Sequence, residues 1–474
     1  MDSLATLRAL SDIIAQAVTT VERSYTDAGL SPPSLNEPFD PHAPAEALRQ
    51  DPVVAGAVQN LVAAAGHIAA VMRDPAVSIL NSAHAFQLSS SVRAAAELNV
   101  AEILTDAGPQ GLHVKEIATR ANVEPKLLAR ILRLLATHHI FREISTDVFA
   151  TNRISSTLDK GKPVDVLFEQ PDERLLETNG LSALVEFISE EAFKASAYMT
   201  DTLIDPVPGP PTTAHMRAFR TSENMFQWFE NPANKARLTR FGIAMQGSAA
   251  EEPEDTIFRG FKWESLPAGS VIVDVGGGLG ASSLSIAKRY PALKIVNQDR
   301  GPVIEQSKAH WKEFLPSHVE AGLVEFQAHN FLEPQPVKDA AAFLVRHVVH
   351  DWSDANLVII LTHLRAVARP ETKLVIIENI AASACSSEST HPHASTIPIL
   401  GVPRKPAAPP LLANYGMAGL PLYYYDLTVN NLLGGTERTL EGFYDVLLQA
   451  GWRLVEVYHC PQTDSSYVIA EPVV

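Results

Sequence analysis

The sequence is short of cysteine: two in 474 residues, Cys385 and Cys460, far apart and without metal-ligand spacing. That excludes a disulfide framework and a thiolate metal cluster, and it fits a reducing, cytoplasmic compartment. Basic charge is also scarce. Lys and Arg number 38 against 54 Asp and Glu, a net charge of −16. A chain so acidic repels phosphate backbones, so no nucleic-acid partner is expected. No unbroken run of about eighteen apolar residues occurs, and the N-terminal stretch lacks a signal-peptide core, so no membrane span is expected. What remains is 46% hydrophobic and 19% charged residues, the balance of a globular chain long enough for two or three domains.

The pattern along the chain divides in three. Residues 1–80 form a helical extension: Leu4, Leu7, Leu10, Ile13, Ile14 and Val18 recur at helical spacing, a proline-rich stretch covers 31–44, and 46–73 read as helix again. Residues 81–165 carry a helix pair ending at Gly108, a helix–turn–helix over 113–141, and a short hairpin turning near Ser145–Asp147. Three helices and a hairpin make a winged-helix shape. With few basic residues on its second helix, it suits a structural or dimerisation module better than a DNA reader.

Residues 166–474 begin with helices and an aromatic cluster around Phe226 and Trp228. From residue 270, apolar runs (SVIVDV, LKIVNQD, VEFQAHN, AAFLVRHVVH, KLVIIENI) alternate with helical segments. That alternation predicts an α/β fold, a mostly parallel Rossmann-like sheet of seven strands closed by an antiparallel edge hairpin from WRLVEVYHC and SSYVIAEPV. Residues 382–421 interrupt it. Seven prolines and the SACSSESTHPHAS tract predict an insertion with little regular structure, a mobile cover over an acceptor pocket.

VIVDVGGGLGASSLSIAKRY reads as strand, glycine turn and helix. Gly276, Gly278 and Gly280 allow a tight turn and close backbone approach to a ligand, and the helix start presents free amides. The same pattern satisfies the dinucleotide fingerprint, so the glycines alone establish only a nucleotide-like cofactor. Two carboxylates bear on the choice, the first by separating the cofactors and the second with a role that fits either. Asp274, directly before the glycines, would repel a pyrophosphate and suit a cationic amino group. Asp299, ending the next strand, can accept from both hydroxyls of a ribose. Asn330 follows the third strand, where an adenine amino group could be read.

DVGGGLG, NQD, AHNFLEPQP, RHVVHDWSD, VIIENI and GGTERT, in that order, resemble the plant-type and fungal small-molecule O-methyltransferase family. The resemblance runs from about residue 84 to the C-terminus and misses residues 1–80 and 382–421. It implies a class I methyltransferase fold, S-adenosylmethionine as cofactor, a homodimer formed through the winged-helix domain, a small-molecule acceptor and no metal. Position by position, it implies His350 as general base with Glu378 and Glu437 orienting it. Asp274, Gly276, Gly278, Asp299, Asn330, Phe331 and Arg346 then fall on cofactor-binding positions. Asn330 departs from the Asp common there, although an amide oxygen still accepts from an amino group. Phe226, Trp228, Met245 and Asn414 are candidates for the acceptor pocket, and His347 reads as structural.

The chemistry is consistent. A phenol titrates near 10 and a free histidine near 6.5, so full proton transfer before methylation costs about 5 kcal/mol; a carboxylate behind the imidazole reduces that cost and holds one tautomer. An alternative keeps the fold and cofactor but carries out a dehydration or pericyclic reaction without methylation. A nicotinamide oxidoreductase and a winged-helix regulator stand further off.

Overall fold

The computed structural model describes residues 3–206, 212–250, 252–386, 398–401, 404–460 and 463–473. They form two compact units, residues 1–252 and 253–474. The helices of 166–252, which the sequence pattern groups with the C-terminal domain, fall in the first unit.

The first unit opens with a pair of long helices, Ser3–Asp27 and Pro52–Met72. Asp51 starts the second: its side chain accepts from the Val53 and Val54 amides, and Pro52 takes the first helical position, where no amide partner is needed. Against the expectation of no span, both helices are long and apolar enough by composition to cross a bilayer, with mean hydropathies of 1.2 and 1.5. Interspersed alanines lift the average without forming an unbroken apolar run. Only 11% and 22% of these windows are buried.

Helices Phe86–Glu97, Val100–Ala107, Val114–Ala121 and Pro125–Thr137 follow. They pack Ile103, Leu104, Ile117, Leu132 and Leu135 around Phe141 and Phe149. The wing is a three-stranded sheet in the order β1–β3–β2, from β1 (Leu112–His113), β2 (Arg142–Ser145) and β3 (Val148–Ala150). The two-residue β1 was too short to read from sequence. Below it, Lys160 is completely buried. Its ammonium donates to Glu102 Oε1 at 2.9 Å, Asn99 Oδ1 at 3.1 Å and the Ala96 carbonyl at 2.9 Å, the full set of partners a buried cation requires.

The second unit is a single sheet in the order β6–β5–β4–β7–β8–β11–β10–β9. Its strands are β4 (Val271–Val275), β5 (Lys294–Asp299), β6 (Val324–Ala328), β7 (Ala340–Arg346), β8 (Lys373–Asn379), β9 (Ile399–Gly401), β10 (Trp452–His459) and β11 (Ser465–Pro472). β11 runs antiparallel to β8 and β10, and the neighbouring pairs β4 to β8 are parallel. The apolar runs are continuous because both faces are covered. Val273, Leu374 and Ile376 pack into one core, and Ile272, Val375 and Ile377 into the other.

Part of the 382–421 insertion, residues 387–397 and 402–403, lies outside the described residues, so its expected mobility falls there in part. Its described parts are more regular than expected. Residues 399–401 form β9, an eighth strand parallel to β10, and the helix Leu420–Leu433 starts within the insertion, with Pro421 tolerated in the first turn.

Candidate active site

β4 ends on Asp274 and Val275, and the chain turns through Gly276, Gly278 and Gly280 with φ of +68°, +58° and +83°, backbone that a side chain would strain. The turn is crowded as well. A Cβ on Gly280 would lie 2.3 Å from the Trp311 indole nitrogen, and one on Gly277 2.1 Å from Asn297 Oδ1. Asn297 also donates to the Gly278 carbonyl at 3.1 Å and to Ser307 at 2.8 Å, bracing the loop from β5. The helix Ala281–Arg289 starts immediately after it.

At the loop's edge, Asp299 accepts from the Gly278 amide at 2.8 Å and the Arg300 amide at 2.7 Å. Asp274 is almost wholly buried, and its Oδ2 takes no hydrogen bond. Burial, reinforced by Asp299, pushes its carboxyl up to about 6. A buried carboxylate in this state calls for a cation from outside, as the ammonium of a methionine moiety would be. A pyrophosphate does not meet that need. Among the chain's own groups, Asp274 and Asp299 would hold the amino and ribose ends of S-adenosylmethionine. Arg346 closes the neighbouring strand end and donates to Ser282 at 2.8 Å. Asn330 is exposed; its side-chain oxygen accepts from the Leu332 amide.

β7 runs into a short turn, Val349–Asp351, that carries His350. Glu378, near the end of β8, caps this turn. Its Oε1 accepts from the amides of Val348 and Val349 at 2.9 Å and His350 at 3.3 Å. Glu437 reaches the imidazole directly, accepting from Nδ1 at 2.7 Å, with Glu378 Oε2 at 3.6 Å. The two carboxylates thus act differently. Glu378 fixes the backbone, and Glu437 sets the tautomer, leaving Nε2 as the nitrogen able to accept a proton. Burial alone would depress the imidazole. The negative charge of Glu378, Asp351 and Glu437 outweighs that effect and raises it to about 10.

The glycine turn and the histidine turn meet. A Cβ on Gly276 would come within 2.9 Å of Val348 and 3.5 Å of Phe331. Phe331 stands edge-on to Trp352, their ring centres 5.4 Å apart.

Sequence reasoning missed several members of the site. Asp351 places Oδ1 3.5 Å from His350 Nε2, and burial pushes it up to about 6. His347, which the sequence marks as structural, has φ of +50° and sets Nδ1 3.5 Å from Glu378 Oε2. Arg438 is buried and clamps the turn from behind, donating to the carbonyls of Val349 at 2.7 Å and Trp352 at 2.6 Å. Asp351 and Arg438 adjoin the catalytic candidates in the chain, and that adjacency was the available signal.

The pocket candidates divide between the units. In the first, Trp228 packs against Phe219 and the buried His215, ring centres 4.4 and 5.0 Å away, and Phe226 neighbours Phe241. Met245 is exposed on its helix. In the second, Asn414 donates to the Tyr423 hydroxyl at 2.8 Å.

If Asp299 holds the ribose, Asp299→Ala should weaken binding of S-adenosylhomocysteine by about 1–3 kcal/mol. Calorimetry giving an unchanged affinity would remove Asp299 from the cofactor site.

Comparison with known proteins gives the family. Residues 221–401 match the O-methyltransferase domain family and residues 80–160 the O-methyltransferase dimerisation domain. The chain is 39% identical to an O-methyltransferase of Armillaria gallica over 96% of each. It is 36% identical to 4-O-methyltransferase 1 of Phanerochaete chrysosporium over 98% of this chain and 97% of that one. A solved structure described as a pericyclic reaction enzyme superposes with a TM-score of 0.62 at 19% identity, covering 88% of this chain and 94% of that one; at that identity the likeness speaks for the fold. The chain belongs to the O-methyltransferase family, and its cofactor is S-adenosylmethionine.

Proposed function

We propose that this enzyme methylates a phenolic hydroxyl of a fungal secondary metabolite, with His350 as general base. The observation that carries the reading is the imidazole's setting: Nδ1 bound to Glu437 at 2.7 Å, on a turn held by Glu378 and in contact with the glycine loop through Val348. The bound cofactor supplies a methyl group on cationic sulfur. The chain's own part is to align an acceptor oxygen and remove its proton. With the imidazole raised to about 10 in the free enzyme, its neutral form is as strong a base as a phenolate, so the transfer step itself no longer carries the gap of about 5 kcal/mol expected for an ordinary histidine; the cost moves to reaching the neutral form, and falls as pH rises. Glu437 stabilises the imidazolium that results.

The alternative, a dehydration or pericyclic reaction with the cofactor unconsumed, shares the fold. The base with its two carboxylates favours methylation over a pericyclic reaction, which removes no proton; a dehydration would use the same base, and the fate of the methyl group separates it from methylation. Mass spectrometry of the product from the natural acceptor decides between them. A gain of one methyl with release of S-adenosylhomocysteine is expected, and product formed without that gain would overturn the reading.

The enzyme would act as a homodimer joined through its helical N-terminal half. Val18, Val53, Val62, Val71 and Met72 stand exposed on the two long helices, the kind of apolar surface that obligate dimers cover, commonly 2,000 Å² or more. Light scattering should give twice the chain mass at micromolar concentration. A monomer mass would refute the dimer.

A further inference from the structure

We propose that His350, Glu378 and Glu437 form an inhibitory zinc site, a use of these side chains distinct from catalysis. One ligand atom from each lies within 4.8 Å of the others. Both carboxylates are buried, and each keeps one oxygen, Glu378 Oε2 and Glu437 Oε2, without a hydrogen bond. Two buried carboxylates facing a single imidazole leave an excess of negative charge and unused lone pairs, which a dication would satisfy.

The donor set selects the metal. One nitrogen and two carboxylate oxygens, completed by a fourth ligand such as water, is a set zinc accepts; magnesium favours six oxygens in a strict octahedron. Two ligands on one tetrahedral zinc, with bonds near 2.0–2.2 Å, stand about 3.4 Å apart. Nδ1 and Glu378 Oε2, at 3.6 Å, already have that spacing. Nδ1 and Glu437 Oε1, at 2.7 Å, must open by about 0.7 Å to reach that spacing, which the loss of the proton between them and a turn of the Glu437 carboxylate allow. His347 Nδ1, 3.5 Å from Glu378 Oε2, stands behind the site as an outer partner for that carboxylate.

Zinc would enter at Nδ1 as the Nδ1 proton leaves to solvent. From the imidazolium, which carries a proton on each nitrogen, loss of the Nδ1 proton leaves a neutral ring with its proton on Nε2, which donates where the reaction needs it to accept. Metal binding and proton abstraction therefore exclude each other. The inhibitory consequence, though not the binding, rests on the reading of His350 as base.

Equilibrium dialysis of the tag-free full chain against micromolar zinc chloride, with metal content measured by mass spectrometry, tests the site. One tightly held zinc per chain is expected, weakened at least about tenfold in His350→Phe and in Glu437→Gln. Calorimetric binding of S-adenosylhomocysteine would show that both variants are folded. No retained zinc, or equal retention by wild type and both variants, overturns the proposal. In parallel, one equivalent of zinc should abolish methyl transfer and a chelator should restore it. Zinc held by these residues with methyl transfer unchanged would uphold the site and overturn His350 as the base.

Discussion

Replacing His350 with alanine should lower methyl transfer by about 10²–10⁴-fold while cofactor affinity stays at its wild-type value. The separation follows from where the groups lie. The cofactor loop is held by Asp299, which accepts from the Gly278 amide, and by Asn297; neither contact involves the imidazole. The turn carrying residue 350 is held through backbone amides by Glu378 and through carbonyls by Arg438, so its course should survive loss of the side chain. Glu437→Gln should cost less, because an amide oxygen still accepts from Nδ1 while the charge that stabilises the imidazolium is gone. Single-turnover rates combined with calorimetry of S-adenosylhomocysteine test both parts. A rate within threefold of wild type, or an equal loss of cofactor binding, would show that His350 is not the base.

The pH dependence should be equally large. A base works only in its neutral form, and in the free enzyme His350 is raised to about 10. Below that value the neutral fraction increases about tenfold per pH unit, so kcat/KM measured at limiting cofactor should rise about a hundredfold from pH 7 to pH 9. The sign is fixed by the carboxylates, whose negative charge favours the imidazolium. A cation brought in by the cofactor opposes them, so the midpoint should move to lower pH when cofactor is saturating. Glu437→Gln removes one of the groups that raise the imidazole and should move it the same way in the free enzyme. A profile flat between pH 7 and 9 at limiting cofactor would contradict this account.

Much of the fold is legible in the sequence for a plain reason. The parallel strands are buried on both faces, so runs such as VIVDV and KLVIIEN stand out by composition, and the glycine turn is marked by residues that only its backbone geometry explains. The site is legible in part. His350, Glu378 and Glu437 lie 28 and 87 positions apart at their contacts, and no periodicity connects them; only the ordered motifs do. What each carboxylate does was not legible. A glutamate that caps three amides and one that binds an imidazole nitrogen look the same as letters, and the difference arises where β8 ends relative to the turn after β7. β1 and β9 escaped because two or three residues carry no pattern, and β9 is also surrounded by prolines. The high average hydropathy of the two N-terminal helices was masked because polar residues are spread through the first, and Gln59-Asn60 and Gly66-His67 cut the second into short apolar pieces.

β9 has a consequence for solubility. A sheet presents unpaired amides and carbonyls at its outer strands, and a long bare rim invites another chain to add itself there. On one side the last long strand is β10, and β9 pairs with Val457, Tyr458 and His459, covering its second half. The first half carries Arg453, which is exposed and ion-paired to Glu471, a charge that an incoming strand would have to desolvate. At the opposite rim, β6 carries an exposed Glu325. Removing three residues from a proline-rich insertion would thus shorten the protein's life in solution, by opening a template for aggregation.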